Sequence, residues 1–401
     1  MGRALETADP RNPRQACPTT APPRARTIAL PWRPSARRWV GGLALTLLLA
    51  TGHLAPAFAK DELYVANFVG NSITVYNQTA SGNVEPIRTI SGGNTGLAGP
   101  VAVAVDPVHD EIAVANFNNN SITVYKQTAD GNVKPLRTII GAATGLNQPE
   151  GVAVDPVHNE IIVTNGGGNT VTVYSRTADG DVTPLRTIGP AGTSGLNAPF
   201  GLGLDLVHNE IVVSNSGNNS ITVYSRTENG GAAAVPLRII GPGGTSLLNG
   251  PEGLALDLAH DEIVVANFGN DTITVYSRTE NGGATATPLR TISGVVNTQL
   301  NLPEDIAIDS ARNEIFVANF GNDTITVYRR TANGDIAPLR IIGGVDTGLN
   351  AEFGLALAAQ ASIPTLTEWA QLGMVALLLG GGLWTLRRRS FHGLRRRRLG
   401  V

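Results

Sequence analysis

A four-residue run, ITVY or VTVY, returns six times along the chain, with its tyrosine at Tyr76, Tyr125, Tyr174, Tyr224, Tyr276 and Tyr328. Successive tyrosines stand 49, 49, 50, 52 and 52 residues apart. A period near 50 residues belongs to propeller blades rather than to helical solenoids. Each full unit carries four short runs. In the second they are PVAVAVD (100–106), EIAVAN (111–116), SITVYKQ (121–127) and KPLRTII (134–140). The runs are rich in Val, Ile and Thr and are separated by Asp-Pro, Asn-Asn and Asp-Gly turn signals. None is long enough for a helix of period 3.6. The expected fold is therefore all-β: a six-bladed β-propeller of four-stranded blades.

The ends of the repeat predict how the ring closes. The first unit begins at Asp61 with ELYVAN, which is already a second strand, whereas the last unit is followed by AEFGLALAA (351–359), which matches a first strand. The C-terminal run should complete the N-terminal blade.

The units follow P-x-G-[VL]-A-[VL]-D, then an I-x-V-x-[ND] strand and an N-x-[ST]-[IV]-x-[VL]-[YF] strand, and in this they resemble NHL-type and YncE-like six-bladed propellers over residues 61–359. The resemblance implies the fold. It does not imply one activity, because propellers host binding, scaffolding and catalysis alike.

Strand alternation places the start of the first strand and the end of the second on one rim. Asn67, Asn116, Asn165, Asn215, Asn267 and Asn319 end the second strands, one per blade, and are expected to bond the turn that follows. At the start of the first strands stand Val101, Glu150, Phe200, Glu252, Glu304 and Phe353, so three glutamates break the symmetry on that rim. Lactonase-like six-bladed propellers bind a divalent cation in the central channel with acidic and amide oxygens. By that resemblance Glu150, Glu252, Glu304, Asn165, Asn267 and Asn319 form a candidate metal set, and oxygen-only ligands suit calcium or magnesium. The plain alternative is solvated rim carboxylates. No cofactor is required by any other feature.

The opposite face carries the turns DPVHD, DPVHN, DLVHN, DLAHD and DSARN, with His109, His158, His208 and His260 replaced by Arg312 in the last. These read as turn-facing polar residues on separate blades. There is no G-x-S-x-G elbow, H-E-x-x-H or Walker loop, so no catalytic motif is assigned. The sole cysteine, Cys17, precedes the repeat.

Outside the repeat (60–360), residues 1–59 read as a leader rich in Pro and Arg followed by a signal peptide. RPSARR (33–38) precedes the apolar stretch Val40–Leu49, and the run ends in APAFA with an expected cut after Ala59. At the other end, Ile363, Pro364, Thr365, Leu366, Thr367, Glu368 and Trp369 spell IPTLTEW within 361–369. Residues 369–386 are 18 without a charge, and Arg387, Arg388 and Arg389 open the basic tail 387–401. As a helix the uncharged run is about 27 Å long, enough to span a membrane core, with the arginines retained on the cytoplasmic side. Motif, apolar helix and arginine cluster in this order resemble the IPTL-CTERM sorting signal. That resemblance implies export, passage through the inner membrane, an exosortase-type protease as partner, and display or release at the cell envelope or in an exopolysaccharide matrix.

Residues 60–386 hold 15 Lys and Arg against 30 Asp and Glu. An acidic body argues against nucleic acid as a partner. The expectation is an exported, non-catalytic propeller presenting rim loops to a glycan or surface protein, the alternative being a calcium-dependent lactonase-like hydrolase or lyase.

Overall fold

In the computed structural model the described residues are 61–190 and 192–358. They form six antiparallel four-stranded sheets, and every sheet keeps its strands in blade order. The first blade is completed from the far end of the chain: Glu352–Ala358 lies beside Glu62–Asn67, with Leu63 opposite Leu357 and Tyr64 opposite Ala356. The expected closure is thus observed, trimmed by one residue at each end. First strands contact first strands around the ring and so wall the central channel.

The fourth strands are shorter than expected. In the second blade only Arg137–Ile139 pairs with the third strand, because Pro135 has no N–H to offer the ladder. The outer edge left by so short a strand is partly covered: Ile90, Ile139, Ile188, Ile240, Ile292 and Ile342 each bridge in parallel to a glycine of the neighbouring blade. Such cover removes an edge on which a second chain would pair.

The core is a set of interfaces between blades rather than one central mass. Ile73, Val75 and Ile90 of the first blade pack with Val103, Ile112, Val114 and Tyr125 of the second, and equivalent clusters recur around the ring. The repeated tyrosines are buried in these interfaces. Each hydroxyl donates to a carbonyl in the segment entering its own blade, as Tyr125 does to Thr95 at 2.6 Å and Tyr174 to Thr144 at 2.7 Å.

A second staple comes from the turn between second and third strands. Asn71, Asn120, Asn169, Asn219, Asp271 and Asp323 all have positive φ, between 44° and 57°, a conformation that Asn and Asp tolerate better than other side chains. Their Oδ1 atoms accept a backbone N–H at the entrance of the next blade, for example Gln148 at 2.6 Å from Asn120.

Candidate functional site

The symmetric asparagines are structural. Each Nδ2 donates to a threonine of the third strand two residues beyond its cross-strand partner, at 3.0 Å in all six blades. Each Oδ1 accepts an N–H from the segment that enters the same blade, at 3.1–3.2 Å. Asn67, Asn267 and Asn319 also reach the turn that follows, as expected from sequence, but the main partners are the neighbouring strand and the entry segment. Asn165, Asn267 and Asn319 are fully buried, with both ends of the amide engaged.

The three glutamates behave differently. In each first strand the register slips after the initial residue, a proline in every blade but the first, as between Pro303 and Ile306 opposite Asn319 and Val317. A bulge of this kind re-aims side chains, here toward the channel. Glu252 and Glu304 come within hydrogen-bonding reach of each other, the charge of Glu252 is felt by Glu150, and that of Glu150 by Glu304. Glu304 is only 3% exposed. Apart from the contact between the two carboxyls, no donor reaches the buried Oε2 of Glu252 or of Glu304. The picture of solvated rim carboxylates is therefore corrected: the bulge turns these groups inward.

Burial pushes the Glu150 carboxyl up to about 8, with the charge of Glu252 adding to it. Burial likewise raises Glu252 to about 7. Glu304 is raised well above the usual carboxylate range by burial, then by its contact with Glu252 and by the charges of Glu252, Glu150 and Asp305. Two carboxyls at this separation cannot both ionise cheaply, so the pair holds a proton near neutral pH.

Below them the channel encloses a cavity of about 150 Å³, whose lining includes Glu150, Phe200, Leu254, Asp305, Ile306 and Leu355. Asp305 stands where the other first strands carry Gly or Ala, and burial raises it to about 7. Glu352 stands where the other blades have proline and is fully buried. Burial and the charge of Asp323 raise it to about 9, against the pull of nearby peptide groups at Asn319 and Thr324. Neither acid was singled out from sequence. Their signal was the same as that of the three glutamates: an ionisable residue at a position that the other units keep small or as proline.

Aromatic rings line one side of this mouth. Phe117, Phe68, Phe353, Phe320 and Phe268 form a chain of neighbours with centroids 5.0–6.5 Å apart. Four of these follow the second-strand asparagine, but in the third and fourth blades Gly166 and Ser216 take that place. The lip is lowest there, and a Cβ on Gly166 would lie 3.2 Å from Oε1 of Glu150.

The fit of a divalent cation can be tested on these residues. Among the described residues no three His, Cys, Asp or Glu side chains are grouped so as to hold a metal ion. The amides that would complete an oxygen set are already engaged, so the candidate metal set divides into three inward glutamates and three structural asparagines.

On the opposite face the aspartate of each such turn accepts a hydrogen bond from Nδ1 of the histidine three residues on, Nδ1 of His158 lying 2.7 Å from Oδ2 of Asp155. His109, His208 and His260 repeat this with Asp106, Asp205 and Asp257. Arg312 bonds Asp309 of its own turn in the same way and also reaches Gln78 and Asp61 of the first blade, tying the closure seam. The sorting residues Ile363–Trp369, the apolar run and Arg387–Arg389 lie outside the described residues. No helix among the described residues is long and apolar enough to cross a membrane.

A family model described as "Lactonase, 7-bladed beta-propeller" matches residues 51–195, less than half of the chain, which itself forms six blades. No curated protein matches the sequence. Among solved structures, a chain of a nidogen/laminin complex is 13% identical, with 74% of this chain and 98% of that one covered and a TM-score of 0.54. A functionally unknown protein from Desulfotomaculum acetoxidans DSM 771 is 14% identical, with 74% and 99% covered and a TM-score of 0.49. At such identities the likeness is one of fold, and the chain is a β-propeller.

Proposed function

We propose that this is an exported, non-catalytic binding propeller that seats its ligand in the acidic mouth of the channel. The observation that carries the reading is the convergence of Glu150, Glu252 and Glu304 on one buried mouth. Buried carboxyls held without donors cost stability and persist where a ligand supplies what the protein does not. The four described histidines sit in turns at the far ends of the blades, away from that mouth. Thr164 and Ser214, hydroxyl side chains beside the inner strands, are bonded to peptide groups of their own and the next blade. The order of signal peptide, IPTLTEW, apolar run and arginines in the sequence supports display at the cell envelope after handling by an exosortase-type protease.

A second reading has one observation in its favour. The match to a lactonase family model over residues 51–195 fits a lactonase-like hydrolase in which the Glu252–Glu304 pair relays a proton. One experiment separates the two. The full chain is assayed on a panel of lactones with and without calcium, alongside E252Q and E304Q. Binding alone predicts no turnover that depends on either glutamate; turnover abolished in both variants would overturn the non-catalytic reading.

A further inference from the structure

The charge of the mouth and the shape of its lip together define a ligand class. Between residues 61 and 358 every lysine and arginine but Arg312 lies at the start of a fourth strand, at the end of a third strand, or in the loop between those ends, and Arg312 lies in the turn between a first and a second strand on the same face. Those ends belong to the face opposite the glutamates. There the arginines neutralise carboxylates, as Arg186 and Arg226 do for Glu160. The glutamate mouth receives no such partner, although Glu304 is 97% buried and its Oε2 has no donor apart from the contact with Glu252. A positive charge is what the site lacks.

The lip argues about the form of that charge. A bare divalent cation needs a cage of oxygens, and the asparagine oxygens that would supply them already accept the backbone N–H of Asn147, Asn249 and Asn301. Phenyl rings offer nothing to a hydrated metal ion but attract the diffuse charge and the carbon skin of an organic cation. Five rings stand in line along one side of the mouth. The gap at Gly166 and Ser216 leaves an entrance beside Glu150.

We infer that the channel mouth binds an organic ammonium group, its charge seated among Glu150, Glu252 and Glu304 and its carbon atoms against the phenyl rings about Phe353. This rests on the reading of the mouth as a binding site.

The test titrates the full chain with n-butylammonium and tetramethylammonium chloride by calorimetry, with calcium chloride and sodium chloride as comparisons. E304Q keeps the shape of the side chain, and Glu85→Gln, at an exposed position, is the control. The expected result is saturable binding of at least one ammonium ion, weakened about tenfold or more by E304Q and by Phe353→Leu and unchanged by Glu85→Gln. Saturable calcium binding that depends on Glu304 but not on Phe353, with no ammonium binding, would overturn the ammonium assignment and leave the binding mouth intact. Absence of binding by every cation would overturn both.

Discussion

The carboxyl Oδ2 of Asp305 accepts the backbone N–H of Leu355 at 2.8 Å, so the sixth blade grips the strand that closes the first. The contact is possible because Gly253 of the fifth blade has no side chain: a Cβ there would lie 2.2 Å from Oδ1 of Asp305. Replacement of Asp305 by alanine should leave that N–H without a partner and cost roughly 1–3 kcal/mol, measured by denaturant unfolding. Asp305→Asn keeps an acceptor and removes the ionisation. Because burial raises Asp305 to about 7, the stability of the protonated form is lost as pH climbs through 7. The asparagine variant should therefore gain on the parent between about pH 4 and about pH 7 and keep that gain above it; equal pH profiles for the two chains would refute this.

Two families of carboxylates pull the stability profile in opposite directions. Glu150 and Glu252, raised to about 8 and about 7, favour the folded state while protonated, and their contribution falls as pH rises through those values. Glu111, Glu160 and Glu210 are lowered, chiefly by hydrogen bonds from Arg137, Arg186 and Arg238, and lose their contribution as pH falls through and below the ordinary carboxylate range. The melting temperature should peak near the ordinary carboxylate range, at about pH 4 to 5. E304Q should raise the alkaline limb without moving the acid limb, because Glu304 belongs only to the first family. A thermal scan from pH 3.5 to pH 9 reads both limbs, and an acid limb displaced by E304Q would contradict the assignment.

The fold was legible because its information is repeated six times: the tyrosine, the asparagine and the closing run each mark one position of a blade, and the first half-blade at Asp61 announces its missing strand. The site was legible only in part. Alternation alone put Glu150, Glu252 and Glu304 on a rim but could not see the bulge after Pro303 that turns such residues inward. Glu352 was passed over because it occupies the proline register one residue before Phe353. The asparagines looked available because nothing local reveals that Thr172, Thr274 and Thr326 accept from them across the sheet. The glutamate that opens each second strand and the arginine that opens each fourth were not paired either, since 26–28 residues separate the partners in sequence.

Those pairs give a prediction of rank. Arg186 forms a bidentate pair with Glu160 inside the third blade, whereas Arg226 reaches the same carboxylate from the fourth, at 2.9 Å. The first two blades carry Gln78 and Gln127 where later blades have Arg226 or its equivalents. Arg226→Gln should thus cost about 1 kcal/mol, while Arg186→Gln, which leaves a buried carboxylate with one partner, should cost about 3 kcal/mol or more. Equilibrium unfolding of the two variants checks the order, and an Arg226→Gln loss larger than that of Arg186→Gln would reverse it.

Closure of the ring makes the last prediction. Residues Glu352–Ala358 supply the inner strand of the first blade, and Tyr76 donates to the carbonyl of Thr347 just before it. Gln78 adds a hydrogen bond from Nε2 to the carbonyl of Ala358 at 3.1 Å, and Arg312 holds Gln78 from the sixth blade. Deletion of residues 352–358 from the full chain would leave Glu62–Asn67 as an unpaired inner edge, rich in β-branched and aromatic residues and ready to accept another chain. The expected outcome is association that grows with protein concentration on size-exclusion chromatography, together with loss of the cooperative unfolding transition. A synthetic peptide spanning residues 351–359 should restore the monomer by occupying the vacant edge, as strand addition does elsewhere. If the deleted chain remains monomeric and unfolds at the parental midpoint, the closing strand contributes nothing to the ring and the account of closure fails.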